Sequence, residues 1–286
     1  MHHLQAERVY STKELCLALG VSRAGFYGHR HKPLRARRQQ DLLLAGQIRE
    51  AFLASRQTYG SPRLQFDLAA QGARHGRRRI ARLMRHQGLR PRQKRAFVPR
   101  TTDSSKTRQP APPRLLEAPA PTASGQIWTS DITYIPTQEG FLYLAAELDL
   151  YSRRIVGWAT AETMETPLVL RALDRAVASA AGRSPQLLHH SDQGSQYASR
   201  DFTAALEQLR FTQSMSRRGN CYDNAAMESF WATLKTECFA DQLPPSRDAA
   251  RHMIFDSIET FYNPVRRHSS LGFLSPLQFE SQSSIN

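Results

Sequence analysis

The chain has 286 residues, 40% of them hydrophobic, and a formal net charge of +14. That is enough apolar material for two or three cores, and no apolar run approaches the ~18 residues of a membrane span. Cys16, Cys221 and Cys238 show no C-x-x-C spacing and exclude a disulfide framework, so they read as reduced thiols of a cytosolic protein. No signal-like apolar segment follows Met1. The charge is uneven: residues 1–124 carry 25 Lys and Arg against 7 acids, residues 125–286 carry 14 against 18. A basic front joined to a mildly acidic back implies a polyanion-binding region, nucleic acid above all, attached to a domain with another task.

Residues 1–35 predict a helix-turn-helix. Ser11 or Thr12 caps a helix through Leu19 with Glu14 reinforcing the cap, Gly20 breaks it, and Ser22 caps a second helix carrying Arg23, Tyr27 and Arg30. Such a second helix enters a major groove, and Arg23 is its assigned DNA contact. Residues 39–90 repeat the theme on a larger scale. A helix to about Ser55 is read with Leu42, Leu43, Ile48, Phe52 and Leu53 as its apolar side, then a turn at 59–63 and a helix with Leu64 and Leu68 ending at Gly72. A last helix at about 77–87 places Ile80, Leu83 and Met84 inside. It leaves Arg77, Arg78, Arg79, Arg82 and Arg85 as a cationic flank with no acid of its own. Five guanidiniums so close repel one another unless phosphates neutralise them, which assigns this flank to nucleic acid.

Residues 91–124 hold seven prolines together with Lys94, Arg95, Arg100, Lys106, Arg108 and Arg114, show no apolar period, and read as an extended basic linker. From Gly125 the pattern changes. Strands are expected at 127–135, 141–150 and 153–160, then a helix at 166–181, a strand at 186–190, a helix at 199–209 and a strand at 211–215. A helix follows, then a long helix at 246–262 and an irregular Arg/His-rich tail. That order is the order of a ribonuclease-H-like α/β sheet, so the fold class expected is α/β preceded by small all-α units.

Three acids carry the chemistry. Asp131 interrupts a strand, where aspartate is disfavoured, and Asp192 sits just past a strand end, where α/β sheets place ligands. Glu228 rides the helix within 216–237, beside the stripe Met227, Phe230, Trp231, Leu234 and Cys238. Lys235 lies two turns further on the same face, and Arg217 and Arg218 open the stretch as further DNA contacts. Three convergent carboxylates raise one another's pKa unless a cation neutralises them; hard oxygen ligands suit Mg2+ or Mn2+, and two such ions clamp the attacking and leaving oxygens of a phosphodiester. His189 and His190 mimic a zinc pair, yet neighbours in a strand point to opposite faces. Ser195 and Tyr197 lack the Arg/His set of a covalent recombinase, and no P-loop is present.

The motifs W-T-S-D-I-T-Y-I at 128–135, H-S-D-Q-G-S-Q-Y at 190–197 and R-G-N-C-Y-D-N-A-x-x-E-S-F-W-x-x-L-K-x-E at 218–237 carry a resemblance. So do Y-N-P-V-R-R-H-S-S-L-G-F-L-S-P at 262–276 and Y-G-S-P-R at 59–63. Together they are similar to insertion-sequence transposases of the retroviral-integrase superfamily, whose catalytic subunit is encoded by a second reading frame. The resemblance implies Asp131, Asp192 and Glu228 as a metal-binding catalytic triad and Lys235 as a contact to the element's terminal DNA. It implies a DNA transposase acting on double-stranded DNA, with terminal inverted repeats and target as substrates. It also implies a homo-oligomer on DNA, an upstream-frame product as a partner, no membrane, and a bacterial cytoplasm, nucleoid-associated when DNA-bound. Residues 125–286 form the expected integrase catalytic domain with a helical tail. Arg266 and Arg267 in the tail are expected at phosphate. The alternatives are a nuclease or resolvase of the same fold that cuts without joining, and a DNA-binding regulator with an inactive α/β domain.

Overall fold

A computed structural model describes residues 10–30, 36–92, 111–112, 114–116, 118–179, 184, 186–217, 224–239 and 242–283. The front contains α1 (Thr12–Ala18) and α2 (Arg23–Arg30). Ser11 is the cap of α1: its side chain accepts from the Glu14 N–H while Glu14 reaches back to the Ser11 N–H at 2.8 Å, a full capping box. Then come α3 (Ala36–Ala54), α4 (Ser61–Ala70) and α5 (Arg77–His86). Leu44, Ile48, Ala51 and Phe52 form the buried stripe of α3, whereas Leu42, Leu43 and Leu53, expected inside, are exposed. Ile80, Leu83 and Met84 close this core from α5.

The sheet is built from β1 (Ile127–Thr137), β2 (Gly140–Asp149), β3 (Ile155–Ala161), β4 (Leu188–Ser191) and β5 (Thr212–Met215), in the order β3-β2-β1-β4-β5. The first three are antiparallel, with Trp128 opposite Asp149 and Thr137 opposite Gly140; Gly140 closes the hairpin at φ +108°. β4 and β5 join parallel to β1, as Ile127 opposite Leu188 and Leu188 opposite Thr212 show. This is the ribonuclease-H-like sheet. Because β4 pairs only with residues 127–129, the rest of β1 runs past it with that edge open.

Period-2 alternation divides the strands between two cores. Trp128, Ala145 and Ala159 pack under α6 (Thr166–Ser179) and α7 (Arg200–Gln208). Ile135, Leu142, Leu144 and Leu148 pack under α8 (Ala225–Leu234) and α9 (Arg247–Phe255). Both α8 and α9 continue as π-helical turns, Lys235–Phe239 and Asp256–Tyr262. The tail, expected to be irregular, contains a 3-10 turn at Ser269–Leu271 and α10 (Pro276–Ser283).

The α3–α5 unit shares its core with the tail. Phe261 lies in the same apolar cluster as Phe52, Tyr59 and Leu64. Arg56 binds Asp256 at 2.6 Å, and the Tyr59 hydroxyl accepts from the Arg267 N–H at 2.7 Å and donates to the Val265 carbonyl at 3.1 Å.

Gly157 sets the distance between α6 and the sheet. A Cβ there would strike the Ala172 carbonyl oxygen, the Ala176 nitrogen and, at 2.7 Å, the Ala176 methyl, all fixed by the helix. Gly157→Ala is therefore expected to destabilise by about 1–3 kcal/mol, seen in urea as a lower midpoint at unchanged slope.

Candidate active site

The site begins where β1 passes the end of β4. The Asp131 carboxylate accepts from Trp231 Nε1 at 2.9 Å through one oxygen and from the Ile132 N–H at 2.8 Å through the other. Trp231 lies on α8 a hundred positions away. The start of α8 is tied to the same strand by Asn224, which accepts from the Thr129 hydroxyl and donates to the Ser130 carbonyl at 3.2 Å. The start of α8 is thus registered to β1 two and one residues before Asp131.

Asp192 follows β4 and accepts from the Gly194 N–H at 2.9 Å. A Cβ on Gly194 would come within 2.9 Å of the same carboxylate oxygen, so only glycine leaves that oxygen room. Burial pushes the Asp131 carboxyl up to about 7; the nearby Asp192 charge adds to this, the two hydrogen bonds oppose it, and the Glu228 charge adds a little more. Burial also raises Asp192, against the Gly194 hydrogen bond. Glu228 lies in the first turn of α8 and is exposed. Among the described residues no three His, Cys, Asp or Glu side chains close into a metal-holding group.

Lys235 begins the π turn that extends α8. Its ammonium lies 5.0 Å from the centroid of the half-exposed Tyr134 ring; burial lowers its pKa while the Asp131 charge opposes that. The four groups expected together, Asp131, Asp192, Glu228 and Lys235, therefore lie around the open edge of β1.

The histidines face apart as expected from strand geometry. Buried His189 meets Glu147 at 2.9 Å, and buried His190 meets the hydroxyls of Ser214 and Ser216 at 2.9 and 3.1 Å. Tyr197 is buried with its oxygen accepting from Ser130 at 2.8 Å, which takes it out of nucleophilic chemistry.

The arginines divide. Arg77, Arg78 and Arg85 are exposed on α5, Arg23 is exposed on α2, Arg217 is exposed after β5, and Arg218 lies outside the described residues. Arg79 and Arg82 instead close on Asp41 of α3 at 2.8 and 2.6 Å, so the cationic flank does contain an acid, supplied by another helix. Arg266, expected at phosphate, is buried and grips Glu237 through two 2.6 Å hydrogen bonds. Arg267 binds Asp67 at 3.0 Å and the Phe273 carbonyl at 2.9 Å. Both are corrected to structural ion pairs.

Sequence patterning did not single out Trp231 as a ligand to Asp131, nor Gly194. Trp231 was assigned to the core stripe, and an indole can serve both roles because its N–H lies at one edge of an apolar body. The glycine two residues after Asp192 was a legible signal for a tight turn at that carboxylate.

The chain matches an integrase core domain family over residues 121–221, a second integrase core domain family over 209–276, and an HTH-like domain family over 38–97. It is 46% identical over 271 residues to the insertion element IS600 uncharacterized 31 kDa protein of Shigella sonnei, covering 94% of this chain and 98% of that protein. It is 40% identical over 282 residues to transposase InsF for insertion sequence IS3A of Escherichia coli (strain K12), covering 97% and 96%. Among solved structures it is similar to a chain of the simian T-cell lymphotropic virus intasome in complex with PP2A regulatory subunit B56 gamma, at TM-score 0.46 and 18% identity over 76% of this chain and 70% of that chain. This chain belongs to the insertion-sequence transposases built on an integrase core.

Metal-free protein should be more stable with Asp131→Asn, in a pH-dependent way. The carboxyl ionises near 3.8 when unfolded and near 7 when folded, so between these values the unfolded state binds fewer protons and wild-type stability falls as pH rises. The melting-temperature advantage of the variant is expected to grow from about pH 4 to about pH 7 and then level off, in thermal melts with chelator.

Proposed function

We propose that Asp131, Asp192 and Glu228 form the metal-holding catalytic triad of a DNA transposase that cuts at an element's ends and joins the freed 3′-OH to target DNA. What carries this reading is the placement of half-buried Asp131 on β1, with Asp192 and Glu228 near enough for their charges to act on it. A carboxylate on the central strand, one just past the neighbouring β4 and a third on α8 are a hard-oxygen donor set, and their mutual repulsion is the kind a divalent cation relieves. The fit is to Mg2+ or Mn2+, two ions in the full reading. When bound, they supply Lewis-acid polarisation of the scissile phosphodiester and neutralise charge on the attacking and leaving oxygens.

The protein's part is positional. Trp231 and the Ile132 N–H hold the Asp131 carboxylate, and the Gly194 N–H holds Asp192. Asn224 keeps α8, and with it Glu228, in register with β1. Lys235 presents a cation beside the carboxylates for a DNA phosphate. In cutting, water forms a bond to phosphorus as the bond to the 3′ oxygen breaks, with the proton completing the 3′-OH. In joining, that hydroxyl attacks a target phosphodiester and one P–O bond replaces another, so no nucleotide hydrolysis is required. The HTH-like region, with Arg77, Arg78 and Arg85 exposed, supports a role in holding duplex DNA, and α1–α2 with Arg23 supports a second contact. The four-part division at 1–35, 39–90, 91–124 and 125–286 is retained for these tasks, with the second part docked on the tail of the fourth.

Asp192→Asn is expected to abolish magnesium-dependent strand joining on a duplex carrying the element's end while leaving gel-shift affinity nearly unchanged. Joining at the wild-type rate would sink the triad assignment; cut ends that wild-type protein never joins would favour the nuclease. Trp231→Phe keeps most of the packing and removes the N–H to Asp131. It should weaken Mg2+ or Mn2+ binding by about 10- to 100-fold in calorimetric titration.

A further inference from the structure

A cleft of about 680 Å3 opens between the α3–α5 unit, the start of α8 and the tail. Arg63, Arg92, Arg153 and Arg266 line it, with Glu237 as the one carboxylate among its described lining residues. That carboxylate is already held bidentately by Arg266. Arg63 comes no closer to it than 3.9 Å, and the Arg92 guanidinium donates to the Glu237 carbonyl at 2.8 Å rather than to its carboxylate. Arg153 makes no ion pair among the described residues. Burial, followed by the Arg266 charge, pushes the Arg63 pKa down, as befits guanidiniums that outnumber their counter-charges.

Two further features point the same way. Arg153 sits at φ +61°, a backbone conformation disfavoured for a long side chain, at the turn between β2 and β3. Asn224, at the N-cap of α8, spends its side chain on β1 and makes no cap bond, so the positive end of the helix faces the cleft without one. The cleft adjoins the carboxylates: it is lined by Thr129, two residues before Asp131, and by Ser229, next to Glu228.

We propose that this cleft is a DNA-backbone site in which Arg63, Arg92 and Arg153 hold phosphates of the strand that passes the catalytic carboxylates. It rests on the reading of the chain as a DNA strand-joining enzyme and adds a path for the strand. A nucleic-acid backbone fits better than an acidic protein segment because the lining reaches Thr129 and Ser229, close in the chain to Asp131 and Glu228, so a strand held here would pass near those carboxylates.

The test is equilibrium binding of the full-length chain, in chelator, to a duplex carrying the element's end across a series of salt concentrations. Arg153→Asn suits the left-handed backbone and removes the charge; Arg153→Lys keeps the charge. Arg153→Asn and Arg92→Ala should each weaken binding about fivefold to tenfold and lower the salt slope by about one, at unchanged melting temperature, with Arg153→Lys near wild type. Affinity and slope equal to wild type in both neutral variants would overturn the site. So would an Arg153-dependent thermal shift with pyrophosphate alone while DNA binding stays unchanged, which would mark a small-anion site. An altered oligomeric state with unchanged DNA affinity would assign the cleft to a second copy of the chain and overturn it too. Because binding is read without metal or chemistry, failure of the triad leaves this test intact.

Discussion

A half-buried carboxylate in the central strand is the constraint around which the integrase-core half is arranged. Asp131 loses hydration, feels Asp192 beside it, and keeps its proton up to about pH 7. Such a group weakens the metal-free fold, since the unfolded chain ionises it freely. The surrounding structure holds it regardless: an indole N–H from α8, a backbone N–H from its own strand, and an asparagine that locks the helix start to the preceding residues. The same contacts that position the acid also fix the helix that carries Glu228 and Lys235, so strand and helix cannot shift independently.

Polar groups elsewhere under the sheet are paired to the same end. His189 and Glu147 are both buried and meet at 2.9 Å, while His190 joins Ser214 on β5 and Ser216 beyond it. Removing one partner of such a buried pair leaves an uncompensated group, and these contacts tie β4 to β2 across β1 and to β5 beside it. Asp192 is delivered by that strand. The adjacent histidines therefore hold in register the strand that ends at Asp192.

The α3–α5 unit and the tail are joined by more than chain connectivity. Phe261 completes the apolar core of α3–α5, and Arg56 to Asp256 and Arg267 to Asp67 cross the same boundary. The exposed Arg56–Asp256 pair contributes little, about 0–1 kcal/mol, so the shared apolar core, the more covered Arg267–Asp67 pair and the Tyr59 hydroxyl contacts provide most of the cohesion. Arg266 carries the connection to the turn following α8 through Glu237. The consequence is a fixed placement of the basic unit relative to the catalytic helix.

Element order and the carriers of the three acids were legible from sequence alone. Turn residues such as Gly72, Gly88 and Gly140, cap residues such as Ser11, and alternating apolar positions act within a few residues of themselves. An aspartate inside a strand stands out wherever that strand ends up. What only the tertiary structure decided is which polar group each side chain meets. Arg79 and Arg82 face Asp41 from another helix, Arg266 faces Glu237 and Arg267 faces Asp67, so arginines that looked alike in the chain became structural. Trp231 likewise turned one edge to Asp131 across a hundred residues. Leu42, Leu43 and Leu53 lost to Leu44 and Ala51 because packing chose which side of α3 faced the other helices. Local patterns are set by neighbours in the chain; ion pairs and the face a helix buries are set by neighbours in space.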